Sequence, residues 1–290
     1  MTRLTKLLSL ACTFVACAFT ASAQMPMHDH AAMQMPTSAA QPWARAELDK
    51  SPRHREYVAI KVGDRTINTF VVYPEIKEKA PVVVLIHEIF GLSDWMKMQA
   101  DELAAKGYIV LAPDLVSGIG PNGGGTDQLV ATTGTNDPVV KAVGALDPAQ
   151  VTADLDAVAD YGLAQPSSNG KLAVAGFCWG GGKTFAYATH RKDLKLALVF
   201  YGPPPAAADM ASINAPVYGF YAGLDARIGA TIPQAVTDMK AAGKLYEPVT
   251  YDDAGHGFMR AGQAPDATPG NKKAFDEGFA RMTKQLAKLK

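Results

Sequence analysis

The chain has 290 residues, 48% of them hydrophobic and 19% charged, and its 28 Lys and Arg balance 28 Asp and Glu to a formal net charge of zero. That is globular composition, with enough apolar residues for a sizeable core. Without a basic excess there is no broad positive field for a phosphate backbone, so nucleic acid is set aside as a partner.

In chain order, Arg3 and Lys6 precede an apolar run from Leu7 to Thr20, and Ala21-Ser22-Ala23 supplies a small-x-small cleavage site before Gln24. Residues 1–23 therefore read as a secretory signal peptide cut after Ala23, with export to the periplasm or beyond. The run falls short of the ~20 residues a spanning helix needs, so no membrane association is expected once the signal is gone. Cys12 and Cys17 leave with it, and Cys178 stays behind alone. A single cysteine in an oxidising compartment is either a buried small hydrophobe or a reactive thiol. Residues 24–50, with "MPMHDHAAMQMP", have no period that builds a core and read as a flexible tether. The alternative there is weak copper binding by Met and His.

The folded body is expected over residues 51–290. Tyr57–Val62 and Thr66–Tyr73 flank the turn Gly63-Asp64 and predict a hairpin. Pro81–Ile86 is continuously apolar, as a strand buried on both faces must be. Ser93–Lys106 has helical spacing and stops at Gly107, and Tyr108–Ala112 is a second buried strand. A Gly-rich loop, Gly118–Gly125, and a Thr/Gly/Asn stretch follow. Helices are predicted over Pro148–Leu163, Gly181–His190, Ile232–Ala242 and Lys272–Leu289. Strands are predicted over Leu172–Ala175, Leu196–Tyr201, Val217–Tyr221 and Val249–Tyr251. Alternating strands and helices predict one α/β domain, a mostly parallel twisted sheet flanked by helices on both faces.

In such a sheet, ligands sit beyond the carboxyl ends of the strands. His87-Glu88, Cys178, Asp225 and His256 all follow strands. Gly176-Phe177-Cys178-Trp179-Gly180 has the form of a nucleophile elbow between strand and helix, with sulfur in place of oxygen. The small flanking residues permit the sharp turn, and the free N–H groups of the following helix favour a thiolate. The N–H of Trp179 can also meet a developing oxyanion. Asp225 and His256 come next in the chain, in the order nucleophile, acid, base. His256 would take the thiol proton, and Asp225 would fix its tautomer. Asp252 and Asp253 are rival acids, but they sit on the histidine's own loop.

With "HEIFGLSDWMKMQADELAAKGYIVLAPDL", "GFCWGGG", "YAGLDARI" and "GHGFMR", the sequence resembles the dienelactone hydrolase (carboxymethylenebutenolidase) family of the α/β-hydrolase superfamily. The resemblance runs from about Val82 to Arg260. It implies an α/β-hydrolase fold, a Cys178–Asp225–His256 triad, a thiol-modulating carboxylate at Glu88, and an oxyanion hole shared by the N–H groups of Ile89 and Trp179. It also implies Arg260 as one of two arginines holding a substrate carboxylate. The segment after Asp114 has no arginine for the second, and Arg227 is the substitute in view. Trp179 and Tyr201 are candidates for an apolar wall of the substrate site. The implied activity is hydrolysis of small esters or lactones by a monomer, without metal or organic cofactor. The alternative on the same fold is a thiol-based redox sensor or ligand-binding protein.

Overall fold

The computed structural model of the chain describes Met1, residues 41–133 and residues 137–290. The expected signal peptide and the Met/His-rich run to residue 40 lie outside the described residues, Met1 apart. The body is built on eight strands: β1 (Arg55–Val62), β2 (Arg65–Val72), β3 (Ala80–Ile86), β4 (Ile109–Pro113), β5 (Ser168–Phe177), β6 (Leu196–Phe200), β7 (Val217–Ala222) and β8 (Tyr246–Tyr251). Their order across the sheet is β1-β2-β4-β3-β5-β6-β7-β8. β1 and β2 form the expected hairpin and β2 lies antiparallel to β4, while all other pairings are parallel.

Period-two alternation sorts the apolar run of β3 onto two faces. Val83 and Leu85 point into a layer with Trp95 and Met96 of the helix Asp94–Ala105 and Met282 and Leu286 of the helix Pro269–Leu286. Val82, Val84 and Ile86 point the other way, against Leu155 and Val158 of the helix Pro148–Leu163 and Phe185 of the helix Trp179–His190. All five strand residues are fully buried. Each such side chain contributes roughly 1.5–3 kcal/mol relative to exposure, which is why β3 carries no polar residue until the chain leaves the sheet at His87. Local chemistry sets the helix starts. The side chains of Ser93, Asp147 and Thr268 accept backbone N–H groups of the first turn, and Pro148 and Pro269 occupy the first helical positions.

Several stretches differ from expectation, among them β5, which spans Ser168–Phe177 rather than Leu172–Ala175. Within the expected tether 24–50, residues Pro42–Leu48 form a helix. One helical turn puts Ala44 and Leu48 on the same face, and both are buried in the layer that holds the helix Asp94–Ala105. Gln41 fixes the junction: its side-chain oxygen accepts the Trp95 N–H (2.8 Å) and its backbone N–H donates to Asp94 Oδ2 (3.1 Å). A composition dominated by Met, Pro and Gln hides this short face. The Thr/Gly/Asn stretch also contains helices, Thr126–Thr133 and Asp137–Gly144, and Val139 and Val143 of the latter join Val116 and Leu129 in a small separate cluster. β8 begins at Tyr246 rather than Val249, because as an edge strand it is only half buried and lacks the full apolar run.

Candidate active site

Four strand ends meet at one edge of the sheet. β3 ends before His87, Glu88 and Ile89, β5 delivers Cys178, β7 leads to Asp225, and the loop after β8 carries His256. Cys178 has φ 58° and ψ −116°, a conformation L-residues rarely hold, between β5 and the helix that starts at Trp179. The glycines around it are obligatory. A Cβ at Gly176 would strike the Gly180 carbonyl and the Thr184 hydroxyl, and one at Gly180 would strike the carbonyls of Ile86 and His87. Gly176→Ala is expected to lower stability by about 3 kcal/mol, because the atoms in the way are largely backbone and cannot yield. A urea melt of the variant checks this.

Cys178, His256 and Asp225 form a hydrogen-bonded series. Cys178 Sγ is 3.1 Å from His256 Nε2, and His256 Nδ1 is 2.5 Å from Asp225 Oδ2. Since an ionised carboxylate only accepts, Nδ1 carries the ring proton and Nε2 is left to accept from the thiol. Asp225 is 8% exposed, and its other oxygen accepts the Ile228 N–H (3.2 Å). The histidine loop is held by Asn271, whose side-chain oxygen accepts the Gly255 N–H (2.8 Å), and it turns through Gly257 at φ 79°. Asp252 and Asp253 are exposed and make no hydrogen bond with His256, so the carboxylate against the ring is that of Asp225.

Glu88 is buried at 2% exposure and paired with equally buried Arg260, Nε to Oε2 at 2.7 Å. Burial pushes the Cys178 thiol up to about 11, and the nearby negative charge of Glu88 adds to that. The backbone N–H groups of Trp179 and Ile89 act on the sulfur in the opposite sense, as does the exposed Arg227. The thiol is therefore neutral at rest. His87 fixes the loop that presents Ile89. Its Nδ1–H donates to the Glu88 carbonyl (2.7 Å), and its Nε2 accepts the Leu115 N–H (3.4 Å). Its ring stacks on Trp179 at 5.5 Å, and burial lowers its pKa so that it stays neutral.

Tyr201 does not line an open wall. It is fully buried with φ 39°, edge-on to the His256 ring at 5.1 Å and to Phe258 at 5.3 Å. An aromatic ring beside an apolar strand end packs inward, under the imidazole. Arg260 is in the site but committed to Glu88 rather than open to solvent. Asn271 carries no sequence signal, because it sits on a distant helix and its role depends on the tertiary fold. Among the described residues no group of three or more His, Cys, Asp or Glu side chains is disposed to hold a metal ion.

The family model of the dienelactone hydrolase family matches residues 67–289. A carboxymethylenebutenolidase homologue of Salmonella typhi is 33% identical over 223 residues, covering 71% of this chain and 77% of its own. The carboxymethylenebutenolidase of Pseudomonas putida is 30% identical over 186 residues, 63% of this chain and 77% of its own. The crystal structure of a dienelactone hydrolase homologue from Klebsiella pneumoniae superposes with a TM-score of 0.68 at 26% identity, over 82% of this chain and 99% of that one. Fold, sequence match and curated relatives agree: this chain is an α/β-hydrolase-fold hydrolase and belongs to the dienelactone hydrolase family.

Proposed function

We propose that the protein hydrolyses small carboxylic esters or lactones through a thioester on Cys178. The observation that carries this reading is the hydrogen-bonded series Cys178 Sγ to His256 Nε2 and His256 Nδ1 to Asp225 Oδ2, at 3.1 and 2.5 Å. The thiol proton passes to His256 Nε2 as sulfur attacks the carbonyl carbon. The carbonyl oxygen takes up negative charge and is met by the N–H groups of Ile89 and Trp179. The tetrahedral centre collapses, the C–O bond to the alkoxy group breaks, and the imidazolium returns its proton to that oxygen. Water then gives a proton to His256 and attacks the thioester carbon. The C–S bond breaks, and the thiolate recovers the proton as the acid leaves. In a lactone the departing alkoxide remains in the product acid. Asp225 holds the productive tautomer and supports the imidazolium. That the Pseudomonas putida relative is a carboxymethylenebutenolidase supports a lactone among the substrates.

In this reading Glu88 restrains the resting thiol, and a substrate carboxylate that reaches Arg260 does so by displacing Glu88 from it. Removing the negative charge in Glu88→Gln lowers the thiol pKa, since a negative neighbour disfavours a thiolate. A fall of one unit raises the thiolate fraction near neutral pH about tenfold. The rate of iodoacetamide alkylation of Cys178 at pH 7.5 is expected to rise by about that factor, and an unchanged rate would sink this role for Glu88.

A redox sensor needs an accessible thiol of low pKa, and a thiol pushed up to about 11 beside a buried carboxylate is the opposite. The test is a panel of aryl esters, lactones and thioesters. Hydrolysis of one ester or lactone class that disappears in Cys178→Ala supports the proposal. A silent panel together with reversible oxidation of Cys178 would favour the redox reading instead.

A further inference from the structure

One amide outside the triad ties the segment that follows His256 to the helix that follows the Glu88 loop. Gln263 follows the short helix Phe258–Ala261, which bears Arg260, and its backbone N–H donates to the Arg260 carbonyl at 3.2 Å. Its side chain makes hydrogen bonds at both ends. Gln263 Oε1 accepts from Trp95 Nε1 (2.7 Å) and from Gln99 Nε2 (2.6 Å). Gln263 Nε2 donates to both oxygens of Glu102 (2.8 and 3.0 Å). The orientation of this amide is fixed, because the indole N–H can only donate and the carboxylate only accepts.

Trp95, Gln99 and Glu102 occupy successive turns of the helix Asp94–Ala105, which begins just after the loop carrying Glu88 and Ile89. Trp95 is fully buried and lies edge-on to Phe177, the residue before Cys178, at 5.1 Å. Gln99 is fully buried and donates to Glu102 as well (2.7 Å). At its first turn the helix is held by Gln41, which precedes the family-matched region.

We propose that Gln263 is a positioning residue that sets the spacing between the His256–Arg260 segment and the Glu88–Ile89 loop across Cys178. It touches none of the reacting atoms and acts through the Trp95 and Glu102 contacts. The proposal rests on the reading of Cys178 as nucleophile. Losing the clamp shifts His256 and Arg260 relative to the sulfur, and small displacements at reacting centres are costly in rate.

The experiment compares Gln263→Met, Gln263→Glu and the double variant Gln263→Glu/Glu102→Gln. It measures kcat and KM on an aryl ester, the iodoacetamide rate at Cys178, and the thermal midpoint. Gln263→Met removes the side-chain hydrogen bonds at similar volume, and kcat is expected to fall about tenfold with KM within about twofold. Gln263→Glu sets two carboxylates face to face and is expected to lose at least as much. Exchanging the partner in the double variant restores a carboxylate–amide pair and returns kcat to within about threefold of wild type. Folded single variants that keep wild-type kcat and alkylation rate would overturn the proposal. If the single variants fail to fold, the double variant decides, and a folded double variant without kcat recovery also overturns it. Turnover that survives Cys178→Ala would instead defeat the nucleophile reading, while the alkylation rate would still report where the thiol sits.

Discussion

Cys178→Ala is expected to lower turnover of an activated aryl ester by about 10⁴-fold or more, with a thermal midpoint close to that of the parent. The size follows from what remains. The Ile89 and Trp179 N–H groups and the His256 imidazole stay in place, so water can still attack with weak assistance, but the covalent route is gone. The fold tolerates the change because the residue is held by backbone: the Cys178 N–H donates to the Phe200 carbonyl at 3.0 Å, and the turn depends on the neighbouring glycines. Alanine keeps the Cβ that this φ already accommodates. The measurement is kcat/KM beside a thermal melt, and a variant within tenfold of wild type would remove the sulfur from the mechanism.

Asp225→Asn is expected to cost about 10³–10⁴-fold in kcat, through the tautomer rather than the fold. The carboxylate makes two contacts, Oδ1 with the Ile228 N–H and Oδ2 with His256 Nδ1. In asparagine the retained oxygen stays with the Ile228 N–H, which can only donate, so the NH₂ group turns toward the ring. A donor facing Nδ1 forces the proton onto Nε2, and Nε2 can then no longer accept from Cys178 Sγ. The loss should ease at higher pH, where the thiol ionises without a base. Nitrogen NMR of the imidazole checks the cause directly: the parent should show Nδ1 protonated at rest and the variant Nε2. A variant with wild-type kcat would leave Asp225 only its helix-capping contact.

The sheet was legible because burial on both faces writes itself as unbroken apolar runs. β3, β4, β6 and β7 stand out in the sequence on that signal alone. The edge strand β8 is half exposed, and only its last residues were apolar enough to be seen. Cys178, Asp225 and His256 were legible because each stands at a strand end and the elbow needs its glycines. Glu88 also stands just past a strand end, but its role as a thiol-modulating carboxylate rests on the family motif. The helix Pro42–Leu48 leaves no sequence signal because its inward face is two residues, Ala44 and Leu48, one turn apart. Tyr201 is expected on an apolar wall of the substrate site. Its outcome depends on φ 39° and on the His256 and Phe258 rings, which arrive from more than fifty positions later in the chain. Gln263 and Asn271 are ordinary polar residues until the fold brings Trp95 and Gly255 to them.

Catalysis by the Cys178 sulfur can be followed by measuring ester hydrolysis while Cys178 is progressively alkylated, with modification mapped to the peptide that contains it. Residual activity should fall on a straight line to zero as the modified fraction of Cys178 reaches one, and a competing ester should slow both losses together. Full alkylation with hydrolysis undiminished would contradict it.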